Sequence, residues 1–133
     1  MSYEGIIIEE SLENRDVLDR VEIVSTRVEE VTDKHKTPWI DKWTLHSVEV
    51  SEDIVERVAE KLSESIDREH GDSWYIDFKN DMFHYIIFLN KFFKVDRLKP
   101  EQYGEVVQYG VGLGIPDYQL SFDPNWEKNP DRL

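Results

Sequence analysis

Short runs of alternating apolar and polar residues dominate this chain, and only two stretches repeat with helical spacing. Gly5-Ile6-Ile7-Ile8 is a β-branched run, which suits a buried strand. Residues 13–16 are polar and turn, and residues 17–20 form a brief helical turn. Residues 21–30, rich in valine and isoleucine with Ser25 and Thr26 between, read as a second strand. A loop follows at 34–38, where Pro38 blocks regular pairing. Trp43, Leu45, Val48 and Val50 mark a third strand with an irregularity near His46-Ser47.

The first helical stretch is clear. Ser51 can cap it through its hydroxyl, and Glu52 and Asp53 place negative charge at the positive end of the dipole. Ile54, Val55, Val58, Ala59, Leu62 and Ile66 then form one apolar stripe, with Arg68 in the last turn and His70-Gly71 as the stop. Residues 74–96 predict a three-stranded meander. Trp74, Ile76 and Phe78 alternate with polar residues, as do Phe83, Tyr85 and Ile87 with His84, Ile86 and Phe88. Asn80-Asp81 supplies the first turn, since both residues tolerate positive φ, and Leu89-Asn90-Lys91 the second. Pro100 opens a second helix with Tyr103, Val106, Val107 and Gly110 on one face. Gly112-Leu113-Gly114 and Ile115-Pro116 end it. The order predicts an α+β fold: a mainly antiparallel sheet of about five or six strands, with two helices packed on one face. The strand–helix–strand order around the first helix would add one parallel pair. Residues 1–133 read as a single globular domain, with 117–133 a docked or frayed tail.

Composition narrows the function classes. The 133 residues include 29 acids against 16 Lys and Arg, a net charge of −13, and no cysteine. A disulfide framework, a cysteine-based zinc site and a thiol nucleophile are therefore excluded. Such acidity argues against binding duplex nucleic acid through an overall positive field. There is no apolar run of the ~18 residues a membrane span needs. Met1-Ser2-Tyr3-Glu4 lacks the basic start of a secretory signal, so the expectation is a cytoplasmic protein that binds no membrane.

The charge is uneven along the chain. Residues 34–46 and 74–99 each carry a net +2, while every other segment is acidic. These two basic stretches also hold 10 of the 16 aromatic residues, among them Trp39, Trp43 and Trp74. Lysines interleaved with aromatic rings can stack a planar group and neutralise an anion. Lys36, Trp39, Lys42, Trp43, Lys79 and Lys94 are accordingly the candidate ligand-binding residues. Equally, both tryptophans can close one end of the core while the lysines keep the loop soluble.

A second constellation is Asp77 with His84. On facing positions of the meander they would form a carboxylate–imidazole pair, which orients a histidine for proton transfer. Alternating charges on a solvated sheet face give the same pattern without chemistry. The four histidines, His35, His46, His70 and His84, match no metal-ligand spacing, and no metal or cofactor is expected. Gly110-Val111-Gly112-Leu113-Gly114 closes a helix rather than opening one, so it is no phosphate loop.

The phrases Ile6-Ile7-Ile8-Glu9-Glu10-Ser11-Leu12, Lys36-Thr37-Pro38-Trp39 and Phe83-His84-Tyr85-Ile86-Ile87-Phe88 resemble a group of short, uncharacterised prokaryotic proteins. That resemblance implies a cytoplasmic microbial protein and transfers no catalytic or binding residue. The leading expectation is a binding or interaction module with a basic aromatic surface for a small anionic ligand or an acidic protein segment. Two alternatives stay open: an enzyme using the Asp77–His84 pair, and a homo-oligomer subunit with a structural aromatic face.

Overall fold

A computed structural model describes residues 2–32, 37–70, 74–115 and 120. Six strands form one sheet: β1 (Ser2–Ile8), β2 (Glu22–Glu30), β3 (Lys42–Ser51), β4 (Ile76–Lys79), β5 (Phe83–Phe88) and β6 (Lys91–Asp96). Their order is β2-β3-β1-β4-β5-β6, and every ladder is antiparallel. Two helices, α1 (Val55–Ser65) and α2 (Tyr103–Leu113), complete the α+β fold. Strands β3 and β4 do run parallel, but β1 lies between them and pairs with both. The anticipated parallel ladder is thereby replaced by two antiparallel ones.

The helices divide between the two faces of the sheet. Val55, Val58, Ala59 and Leu62 of α1 pack with Tyr3, Ile7, Phe78, Tyr85 and Ile87. Tyr103 and Val106 of α2 pack instead with Ile86, Phe88 and Val95. These alternate with the first set along β5 and β6 and so point to the opposite side. The expectation that both helices share one face is corrected accordingly. The chain beyond α2 returns to this second core at Leu120, which is buried against it. A Cβ on Gly110 would lie 2.8 Å from the Leu120 side chain, so the glycine admits that contact. The rest of segment 117–133 lies outside the described residues.

Local chemistry sets the element ends. Ser51 closes β3 and starts a turn in which the Ile54 N–H donates to its carbonyl, so α1 begins later than the sequence suggests. Helix α1 also stops at Ser65, before Arg68 and His70. Gly114, at φ 105°, ends α2 in the left-handed conformation that favours glycine. Between β4 and β5 the Asn80 side-chain oxygen accepts the N–H groups of Met82 and Phe83. The positive φ falls in the next turn, at Asn90 (φ 61°), whose N–H donates to the Ser63 carbonyl of α1.

Under α1 the Tyr3 and Tyr85 rings meet edge to face, with centroids 5.3 Å apart. Burial pushes both hydroxyls above their ordinary pKa, aided at Tyr3 by Tyr85 and at Tyr85 by the Glu56 carboxylate. The folded state therefore favours the neutral phenols. Their stabilising contribution is complete below the unfolded value of about 10 and is lost as pH rises through the folded values. Urea midpoints measured from pH 8 to 11 should hold and then fall beyond about pH 10. Tyr85→Phe should flatten that fall; an equally steep fall in the variant would refute the assignment.

Candidate functional site

Helix α2 covers only the β5–β6 side of its face. Among the described residues the same face is hollow over β2, β3, β1 and β4, with a cavity of about 430 Å³. Its volume falls in the range of small-molecule sites. Register explains which side chains line it. Glu4 stands opposite Glu49 on one side and Lys79 on the other, and Ile6 stands opposite Ser47 and Asp77. All of these face away from α1. Val24 and Arg27 of β2 close the far wall. Glu4 and Glu49 thus occupy the central strands, while Arg27 stands on β2 and Lys79 shares β4 with Asp77.

Asp77 joins this cavity to the second core. The His84 Nε2–H donates to Asp77 Oδ2 at 2.7 Å, and His84 Nδ1 lies 3.0 Å from the Tyr103 hydroxyl on α2. A carboxylate can only accept, so in the neutral ring Nε2 carries the proton and Nδ1 accepts from Tyr103. His84 is buried, with 1 % of its side chain exposed, whereas Asp77 keeps 14 %. Buried phenol, buried imidazole and cavity carboxylate therefore form one hydrogen-bonded chain. Asp77 and His84 are not directly opposed as the sequence reading supposed: Asp77 faces Ile86 and Lys79 faces His84. The pair forms diagonally, one pleat apart, which long side chains reach.

The candidate ligand-binding residues do not share one surface. Lys79 lines the cavity. Lys94 points to the opposite face, its Nζ 4.4 Å from the Phe83 ring centroid. Lys42 lies at the far end of β3, opposite Glu30 of β2. Lys36 lies outside the described residues. The tryptophans, however, do meet. Trp74 packs against Trp39 and Trp43, with centroids 6.2 and 5.6 Å away. Trp43 is buried and donates its indole N–H to the Thr37 hydroxyl at 2.9 Å. Trp39, 37 % exposed, stacks on His70 at 3.8 Å. The two basic segments therefore converge through their rings; Lys42 lines one hollow with Trp39, while Lys79 and Lys94 stand on opposite faces of the sheet.

A second carboxylate–imidazole pair escaped the sequence reading. His46 Nε2 lies 3.2 Å from Glu9 Oε1, and its Nδ1 lies 2.8 Å from the Thr26 hydroxyl. Neighbouring Glu10 accepts both the N–H and the hydroxyl of Thr44. The Glu9-Glu10 turn thereby fastens itself to β3 across 34 or more positions of sequence, a separation that no spacing rule reads. Asp67, Glu69 and His70 bring three donor atoms within 4.8 Å of one another. Asp67 already pairs with His70 Nδ1 and accepts the Glu69 N–H, and these turn contacts account for the grouping.

No family model matches the chain, and no curated protein or solved structure matches it. Among the described residues no helix is long and apolar enough to cross a membrane.

Proposed function

We propose that the protein binds a small molecule carrying both an ammonium and a carboxylate group in the cavity, with Asp77 as the proton-exchanging group. The hydrogen-bonded chain carries this reading: a carboxylate at the cavity wall, 2.7 Å from a buried imidazole that a buried phenol backs. Glu4 and Glu49 face each other across β1 and β3, and directly opposed like charges are unfavourable. An ammonium group between them relieves that repulsion. Lys79 and Arg27, on the flanks, suit the carboxylate end, and Ile6 and Val24 suit a short aliphatic body. A simple anion, the sequence-based expectation, would meet three carboxylates here. His84 orients Asp77 through the Nε2–H it donates to the carboxylate.

Calorimetric titration with glycine, β-alanine, acetate and methylamine tests the reading. Run in buffers of different ionisation enthalpy, it also counts the protons exchanged on binding. The zwitterions should bind more tightly than either single-charge fragment, with a proton exchange that Asp77→Asn abolishes. Equal binding of acetate alone, or an unchanged proton count in the variant, would sink it.

A further inference from the structure

Among the described residues β2 is an edge strand of nine residues, and its side chains are exposed on both faces except at Glu29. Ile23 is 42 % exposed, and Val24 and Val28 are each 60 % exposed. A long edge with unpaired backbone groups and β-branched side chains is a template for another strand. Glu22–Glu30 contains no proline to block it. Its charges also select a partner. Arg27 and Glu29 flank Val28 on one face of the strand and already pair with each other at 3.3 Å.

We propose that β2 pairs with β2 of a second copy of this chain, antiparallel and centred on Val28. In that register Val28 meets its own counterpart, and each Arg27 stands opposite the partner copy's position 29. Two reciprocal Arg–Glu contacts result from a single two-fold axis. Moving the centre to Thr26 sets Glu22 opposite Glu30 twice, so charge discriminates between registers. Sheet joining makes one twelve-stranded sheet from two six-stranded ones. The net charge of −13 on each copy opposes the approach, and salt screens this repulsion over about 8 Å at physiological strength. This pairing does not rest on the cavity reading and survives its failure.

Light scattering and sedimentation at about 0.15 M salt test it, across protein concentrations up to about 1 mM. The chain should shift from monomer to dimer as concentration rises. Arg27→Glu alone and Glu29→Arg alone should each weaken the dimer at least ~10-fold, since each places two like-charge pairs at the junction. An equimolar mixture of the two variants restores both contacts and should yield a heterodimer. Circular dichroism checks that each substitution leaves the fold intact. A wild-type mass that stays monomeric throughout, or a mixture that associates no better than its components, overturns the proposal.

Discussion

Gly5→Ala is expected to destabilise the protein by at least ~3 kcal/mol, a large share of a typical domain's ~5–15 kcal/mol. A Cβ at this position would lie 2.2 Å from the Asp77 carbonyl oxygen and 2.5 Å from the Phe78 ring. Neither neighbour can yield. The carbonyl belongs to a strand paired on both sides, and Phe78 is fully buried. Strand β4 would have to move away from β1, taking Asp77 with it. The control is the same substitution at Gly112, where a Cβ meets nothing within 4 Å. There alanine should stabilise the helix by roughly 0.5–1 kcal/mol, because glycine surrenders more backbone entropy on folding. Denaturant unfolding of both variants reads the contrast. A Gly5→Ala protein as stable as the wild type would show that β1 and β4 do not approach so closely.

The same glycine illustrates what a sequence can and cannot disclose. Gly5-Ile6-Ile7-Ile8 announces a strand, but the tight contact depends on which strand lies alongside, and β4 is more than seventy residues away. The three strands of the meander, the α1 stripe and the glycine that ends α2 were readable, because each depends on neighbours close in sequence. The placement of α2 was readable in principle. Ile86 and Phe88 alternate with Tyr85 and Ile87 along β5, and Phe93 stands on their side of β6. Apolar residues on both alternations mean a strand buried on both faces. The break in alternation near His46 has another source. The β1–β3 ladder runs unbroken there, and Ile7 and Ile8 are both buried, as are Leu45 and His46. The break records cover arriving on the second face, while the true irregularity lies on β2 between Ile23 and Ser25.

For the candidate site, residue type was informative and location was not. Asp77 and His84 stand seven apart across a short turn, near enough for strand alternation to place them on one side. Tyr103 was read only as part of a helix face, since nothing local ties it to the imidazole. The lysines misled because charge along a strand says nothing of face. Lys79 and Lys94 occupy opposite sides of one sheet, and the same alternation that unites Asp77 with His84 separates them. Arg27, Glu4 and Glu49 enter the cavity only through the strand order β2-β3-β1-β4. That order is a property of the whole chain.

His84→Ala should cost about 3–5 kcal/mol, and the pattern around it separates a relay from a structural pin. Removing the ring opens a void in a strand buried on both sides. It also takes a donor from Asp77 and an acceptor from the buried Tyr103 hydroxyl. Tyr103→Phe removes only a hydroxyl and should cost about 1 kcal/mol. Because both changes act on one hydrogen bond, the double variant should lose less than the sum of the two. A strictly additive result would mean that the Tyr103–His84 bond contributes nothing. Asp77→Asn behaves differently from all three. Its amide oxygen can still accept the His84 Nε2–H, so the fold should survive with a loss below roughly 1.5 kcal/mol. What the amide cannot do is take up a proton. A group that only pins α2 to the sheet would show its whole effect in stability and none in proton exchange on binding. Asp77 should show the reverse: near-native unfolding, with the proton exchange gone.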